Sequence, residues 1–135
     1  MDTIGNEQGI ITKVSTKTFA ETYASLKSTI DTNPNLKIIA EIDHSSNAEK
    51  AGLKLNPTRL IIFGNPNLGT PLMQNTQALA LDLPQKMLVW QDEKETVNVS
   101  YNDPNYLVKR HGVEDNNEII QTIIKALNNI SNSSL

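Results

Sequence analysis

Two short segments near residue 90 constrain the fold more than any other part of the chain. Residues 86–91 (KMLVWQ) and 96–101 (TVNVSY) are rich in strand-favouring side chains, and only the charged turn DEKE separates them. Strands joined by so short a turn run antiparallel. Val97, Val99 and Tyr101 share one face of the second segment, because side chains alternate along a strand. A β-hairpin, and with it an antiparallel sheet, is therefore predicted.

Three further strands and several helices are predicted, with the helices collected rather than alternating with the strands. The strands are residues 9–15, 36–43 and 58–63, and the second of them alternates apolar with mostly polar side chains. Thr18 and Glu21 form a capping box for the first long helix. The last long helix follows Asp115 and Glu118, and short helices are expected after Ser46, Thr70 and Asp103.

This order favours one α+β domain over residues 1–135 rather than a doubly wound parallel sheet. It is a two-layer arrangement in which a mainly antiparallel sheet of about five strands carries helices on one side. The element order is β-α-β4-α with short helical insertions. The polar tail SNSSL is expected to be a frayed C-terminus.

Charge and composition exclude several classes of function. The net charge of −3 has the wrong sign for nucleic-acid or anionic-membrane binding. With no cysteine, the chain has neither a disulfide framework nor a thiolate site. The longest apolar run, LIIF, is far too short to span a bilayer. We therefore expect a soluble, cytoplasmic protein that has no nucleic-acid or membrane partner and no cofactor.

The glycine-rich stretch FGNPNLGTPLM, between the third predicted strand and a helix, is the first candidate site. Its glycines are spaced as in a phosphate-binding loop, but Thr70 stands where that loop needs lysine and Pro71 where it needs a hydroxyl. Nucleotide hydrolysis is therefore disfavoured. The simplest interpretation is that Gly64 and Gly69 supply unusual backbone angles while Thr70 caps a helix that starts at Pro71 and runs to about Leu81.

The second candidate site is Asp43–His44, at the end of the second predicted strand. A histidine beside a carboxylate can act as a general acid or base. Neighbouring side chains in a strand point to opposite faces, however, so Asp43 need not orient His44. With only two histidines in the chain, no metal site is predicted. Arg59, within the third strand, is expected to pair with Glu41 or Asp43, or to anchor a ligand.

The run from His44 to Trp90 closely resembles the family called Domain of Unknown Function 302. The shared patterns are His-x-x-x-A-x-x-x-G-L, F-G-N-P-x-x-G-T-x-L-M and A-L-D-L-P, and the similarity continues through SYNDPNYLVKRHG. The resemblance implies a fold similar to the TATA-binding-protein-like class, with a curved antiparallel sheet, and homodimers. It implies no activity. The matching residues are His44, Ala48, Gly52, Leu53, Phe63, Gly64, Asn65, Pro66, Gly69, Thr70, Leu72, Met73, Asp82, Leu83 and Pro84.

Three functional hypotheses follow. In the first, a homodimer binds a small ligand, with an anion as one option, where the Gly64 to Thr70 loop approaches Asp43 and His44. The residues expected to contact that ligand are Asn65, Gly69, Thr70, Met73 and Arg59. In the second, the protein is an enzyme that uses His44 as acid or base beside Asp43. In the third, it is a purely structural or protein-interaction module.

Overall fold

The computed structural model describes residues 5–135 and contains five strands, five α-helices and one 3-10 helix within that range. In chain order these are β1 (Ile10–Ser15), α1 (Phe19–Asp31), β2 (Lys37–Asp43), α2 (His44–Lys50), β3 (Thr58–Gly64), α3 (Pro66–Asn75), the 3-10 helix (Gln77–Leu81), β4 (Gln85–Gln91), β5 (Val97–Asn102), α4 (Pro104–His111) and α5 (Asn117–Ser134).

All five strands form one antiparallel sheet in the order β1-β5-β4-β3-β2. The predicted hairpin is β4–β5, in which Met87 faces Tyr101 and Val89 faces Val99. The N-terminal strand β1 pairs with β5 at one edge, and β2 forms the other edge. The predicted α+β class and the antiparallel sheet are thus confirmed.

Alternation divides the sheet into a core face and an open face. The core face carries the strand residues that pack against the helices: Ile11, Ile61, Phe63, Met87, Val89, Val97, Val99 and Tyr101. Leu26 and Ile30 of α1, together with Ile123 and Leu127 of α5, cover that face. The open face carries the residues of opposite parity: Thr12, Val14, Leu60, Ile62, Leu88, Trp90, Asn98 and Ser100. None of its apolar side chains belongs to the core.

Helix α1 begins as predicted, but α2 does not. The Thr18 hydroxyl accepts a hydrogen bond from the Glu21 amide at 3.1 Å, and the Glu21 carboxylate accepts one from the Thr18 amide at 3.2 Å. Helix α2 is capped by Asp43, whose Oδ1 accepts from the Ser46 amide at 2.9 Å. The predicted Ser46 cap is wrong because the carboxylate that ends β2 is already in position one turn earlier.

The prediction for α3 also needs correction. The helix begins at Pro66 and is capped by Asn65, whose Oδ1 accepts from the Asn67 amide at 3.0 Å. Thr70 and Pro71 therefore lie inside the helix and do not start it. It ends at Asn75, and the segment up to Leu81 is a separate 3-10 helix. Asn65–Pro66 and Thr70–Pro71 both have the cap-then-proline pattern, and the chain uses the earlier pair directly after β3.

Gly64 and Gly69 do not have the unusual backbone angles that the sequence suggested. The glycines with positive φ are Gly9, Gly52 and Gly112. Gly112 ends α4 in the left-handed conformation, which glycine adopts without steric strain. A conformational role is therefore excluded for Gly69, which sits in an ordinary helical turn.

The C-terminal segment is helical and anchored, so the prediction of a frayed tail is wrong. Helix α5 starts after Asn116, at φ 68°, and not at an Asp115 cap, and it continues to Ser134. Ser131 and Ser134 are fully buried. The Lys13 ammonium, on β1, donates to Ser131 Oγ at 2.7 Å and to Asn132 Oδ1 at 2.9 Å. Burial lowers the pKa of Lys13, and its polar partners hold the end of α5 against the sheet.

Candidate functional site

A cavity of about 350 Å³ lies between the ends of β2 and β3, helix α3, the link before β4, and helix α5. This volume falls within the range of small-molecule binding sites in proteins. Its lining is predominantly apolar, and its residues are Leu36, Lys37, Ile39, Phe63, Gly64, Asn65, Pro66, Leu68, Gly69, Thr70, Met73, Ala80, Leu83, Pro84, Gln85, Ile123, Ala126, Leu127 and Ile130.

The cavity has a buried floor and an accessible rim. Phe63, Leu127 and Ile130 form part of the floor and are at most 5% exposed. At the rim, Ile39 is 57% exposed, and Lys37 and Thr70 are also exposed. A ligand entering from solvent would therefore pass from a mixed polar and apolar rim to a wholly apolar interior.

Gly69 lines this cavity from within helix α3. A β-carbon built on Gly69 would lie 3.8 Å from Leu83 Cδ1 and 3.9 Å from Met73 Cε, and both of these residues line the cavity. A side chain at position 69 would therefore project into the cavity. Glycine inside a helix is about 1 kcal/mol less favourable than alanine. Gly69 has no positive φ that would require glycine, and it leaves this space unfilled.

The structure brings together four of the predicted ligand-binding residues. Asn65, Gly69, Thr70 and Met73 all line the cavity, although Thr70 does so from within the helix and not as its cap. The glycine-rich stretch is thus part of a concave site. Its geometry comes from a strand-to-helix connection capped by Asn65.

Asp43, His44 and Arg59 lie elsewhere. In the antiparallel pairing of β2 with β3, Lys37 faces Gly64 whereas Asp43 faces Arg59. Six residues of extended chain separate these two positions, a distance of about 20 Å. The predicted approach of the Gly64 to Thr70 loop to Asp43 and His44 is therefore wrong, since the two groups stand at opposite ends of the strands.

Asp43 does not orient His44. Its carboxylate accepts hydrogen bonds from the Ser45 hydroxyl at 2.8 Å and from the Ser46 amide at 2.9 Å, and the Ser46 bond is the largest cause that lowers the pKa of Asp43. The His44 side chain is exposed and has no hydrogen-bond partner within residues 5–135. The carboxylate thus caps a helix, and the pair lacks the geometry of an acid–base dyad.

Arg59 is held in a compact polar cluster. Its guanidinium lies 4.1 Å from the centre of the Tyr23 ring and 3.5 Å from Glu41, as the sequence predicted for a pairing with that residue. The Tyr23 hydroxyl donates to Glu41 at 2.5 Å. That bond is the first cause that lowers the pKa of Glu41, whereas burial raises the pKa of Tyr23. Arg59 therefore contacts Tyr23 and Glu41 and lies outside the cavity lining.

A second polar cluster was not predicted. Asp82, at the end of the 3-10 helix, accepts a hydrogen bond from Arg110 Nη1 at 3.0 Å and lies 2.5 Å from His111 Nε2. The side chains of Asp82 and His111 are only 16% and 9% exposed. Arg110 and His111 lie in the last turn of α4, where cations are favoured, and the tertiary fold brings Asp82 to them as a partner. This cluster joins α4 to the segment that borders the cavity.

Two negative findings apply to residues 5–135. That part of the chain contains no group of three or more histidine, aspartate or glutamate side chains arranged to bind a metal ion. None of its helices has the length and apolar character needed to cross a bilayer.

A five-stranded antiparallel sheet, covered by helices on one face and bordered by an apolar cavity, defines an α+β two-layer protein. Within that class, the chain belongs to the family described as Domain of unknown function DUF302, which matches residues 11–130. A solved structure, the uncharacterized conserved protein DUF302 from Bacillus stearothermophilus, has a TM-score of 0.81 at 18% identity. It covers 94% of this chain and 98% of that one. At this identity, the similarity concerns the fold.

This chain matches only part of the length of its curated relatives. Over 107 residues, or 79% of this chain, the protein is 38% identical to Fluoride-specific ion channel FluC 1 of Brucella suis biovar 1 (strain 1330), and the match spans 42% of that relative. The identity is the same for the protein with the same name from Brucella abortus biovar 1 (strain 9-941), of which 39% is covered. This chain thus spans about two fifths of the length of these relatives.

Proposed function

We propose that this protein binds a small, mainly apolar molecule in the cavity beside Gly69. The observation that carries the proposal is the absence of a side chain at position 69, inside a helix and directed at the cavity. A helix interior favours any ordinary side chain over glycine. Glycine at this position leaves the cavity open although another side chain would stabilise the helix more. A cavity of this kind, with a buried apolar floor, is suited to a ligand that fills it.

A bare inorganic anion is not supported as the ligand of this cavity. Its floor has no cation, and a charge moved into apolar surroundings without a partner is strongly disfavoured. The same argument opposes fluoride as the ligand of this cavity, although two relatives are named fluoride-specific ion channels. We infer that domains of this family serve as ligand-binding modules, which in those relatives make up part of a longer chain.

Enzymatic use of His44 has less support than ligand binding. His44 is exposed, about 20 Å along the strands from the cavity, and Asp43 is engaged as a helix cap. An acid–base role would need a substrate held at the Asp43 end of the sheet. A single-domain organisation and a cytoplasmic location stay predictions from the sequence.

Octan-1-ol and indole are expected to bind in the cavity, because each matches its apolar floor and approximate size. The measurement is a titration of ¹⁵N-labelled protein followed by two-dimensional NMR. Saturable shifts should concentrate on amides of α3 and on residues 123–130 of α5. Amides of β1 and α2, which lie away from the cavity, are the internal control. No saturable change in the first group with either probe would contradict the proposal.

The family resemblance also implied a homodimer, and we propose that the open face forms its interface. Leu60, Ile62, Leu88 and Trp90 form a contiguous apolar surface there, because they occupy neighbouring positions on β3 and β4. Val14 on β1 adds a side chain that is 60% exposed. Contiguous apolar surface of this kind typically marks a site of protein association. A second copy of the same chain offers the same surface in return.

Leu60→Glu is expected to convert a dimer into a monomer, because it places an unpaired charge in the centre of that interface. Light scattering coupled to size-exclusion chromatography, over a range of protein concentrations, measures the change. Ala20→Glu, at an exposed position on α1, is the control and should remain dimeric. A wild-type protein that is monomeric at all concentrations, or a dimeric Leu60→Glu variant, would contradict this interface.

A further inference from the structure

Helix α3 forms one wall of the cavity, and it packs against the rest of the protein less firmly than the opposite wall does. Leu72 is the only residue of α3 that is buried. Half of the helix lines the cavity instead, through Pro66, Leu68, Gly69, Thr70 and Met73. Helix α5, across the cavity, has six buried residues and is also anchored by Lys13: Ile120, Ile123, Leu127, Ile130, Ser131 and Ser134. The cavity therefore lies between a firmly packed helix and a loosely packed one.

Hydrogen bonds and charges add little to the attachment of α3. Among residues 5–135, its only hydrogen bond to a residue distant in sequence is a long one, which Asn116 Nδ2 donates to the Pro71 carbonyl at 3.4 Å. The bond from the Asn67 amide to Asn65 Oδ1 is local and only caps the first turn. The helix has no charged side chain, so it makes no ion pair.

The residues of α3 are also unfavourable for a helix. Glycine and proline are the two residues least favourable in a helix interior, and α3 contains both, at positions 69 and 71. Pro71 has no N–H group to donate to the carbonyl of Asn67, so one hydrogen bond of the helix is missing. A segment with few buried contacts opens locally at a low cost in free energy. We therefore expect α3 to open while the sheet stays folded.

We propose that α3 is a lid, which opens to expose the cavity and closes over a bound ligand. This inference rests on the proposed function and adds a conformational change to it. The ligand would supply apolar contacts that α3 lacks, next to Leu68, Gly69 and Met73. Phe63 and Leu127, in the floor, belong to the sheet and to α5 and are buried without a ligand. Binding to the closed form therefore shifts the lid toward that form.

Native-state hydrogen exchange of ¹⁵N-labelled protein, with indole as the ligand, tests the lid. In the free protein, amides 72–75 of α3 should exchange roughly tenfold or more faster than amides 123–130 of α5, because they open locally. Indole at about ten times its dissociation constant should slow amides 72–75 by about tenfold, because only the closed form binds it. Amides 46–50 of α2, a helix that has no buried residue, are the internal control and should not respond to indole.

Pro71→Ala is expected to slow the exchange of amides 72–75 in the free protein by roughly tenfold to a hundredfold, because alanine restores the missing donor and favours the helix. Pro71 lies outside the cavity lining, so the substitution leaves the binding surface unchanged. Pro34→Ala, which removes a proline from an exposed turn before β2, is the matched control and should leave exchange in α3 unchanged.

Three results would overturn the lid and leave the cavity proposal intact. They are exchange in α3 as slow as in α5, exchange in α3 that indole does not slow although the chemical shifts saturate, and unchanged exchange in Pro71→Ala. The absence of any saturable shift with indole and with octan-1-ol would overturn the cavity proposal and the lid together.

Discussion

Gly69→Leu is expected to weaken the binding of octan-1-ol and indole by roughly a hundredfold while leaving the protein at least as stable as the wild type. A leucine side chain at this position would occupy the space between Leu83 and Met73. It would displace about four carbons of ligand, each of which contributes ~0.8 kcal/mol when buried. The expected loss of binding free energy is therefore about 3 kcal/mol, which corresponds to roughly a hundredfold in affinity. Replacing glycine within a helix should favour folding by up to ~1 kcal/mol.

The measurements for Gly69→Leu are ligand titration and urea unfolding of the same samples. Gln74→Leu is the matched control, because Gln74 lies on the exposed side of the same helix and outside the cavity lining. Gly69→Ala adds only a β-carbon at ordinary contact distances, so it should fold more stably and bind slightly less well. Undiminished binding by Gly69→Leu would exclude this cavity as the site.

Asp82→Asn is expected to lower the free energy of unfolding by about 2–3 kcal/mol. The substitution removes the charge that accepts from both Arg110 and His111, and it presents an NH₂ group to one of these donors. Charge-assisted hydrogen bonds between mostly buried groups contribute more than exposed ion pairs do. Half of the Arg110 side chain is exposed, which keeps the expected loss below the roughly 3–5 kcal/mol that results from breaking a fully buried ion pair.

Urea unfolding followed by circular dichroism measures this effect. Asp115→Asn is the control, since Asp115 is exposed and makes no ion pair within residues 5–135. A double-mutant cycle with His111→Gln should give a coupling energy clearly different from zero, because the two side chains are in direct contact. Additive losses would show that Asp82 and His111 do not stabilise the fold through their mutual contact, and an Asp82→Asn variant as stable as the wild type would show that the cluster does not stabilise the fold at all.

Local patterns were sufficient to predict the elements whose signals lie within a few residues. The hairpin follows from two alternating segments and a short turn, and α1 follows from a capping box that the structure contains intact. Where two local signals compete, pattern alone fails. Asn65–Pro66 and Thr70–Pro71 both have the pattern of a helix cap followed by proline. Which of the two pairs starts α3 depends on where β3 ends in its pairing with β2 and β4.

The candidate site was predictable only in its local part. Asn65, Gly69, Thr70 and Met73 are close in sequence, so one glycine-rich motif indicated them together. Lys37 reaches the cavity through the register of β2 with β3, and Ile123 and Leu127 reach it by packing of α5. No sequence pattern within a short window carries such distant relationships. The erroneous link to His44 arose for the same reason, because neither the register nor the strand direction was known.

The anchoring of α5 by Lys13 has a consequence for the order of folding. Lys13 and Ser131 are 118 positions apart, and Thr12 bonds to Ser100 across 88 positions. Closing such long loops is entropically unfavourable until many other contacts exist, and contacts of this kind are associated with slow folding. The β4–β5 hairpin can form from neighbouring residues alone. The contact between β1 and the end of α5 is therefore expected to form late, and during synthesis it can form only after residue 131 has left the ribosome.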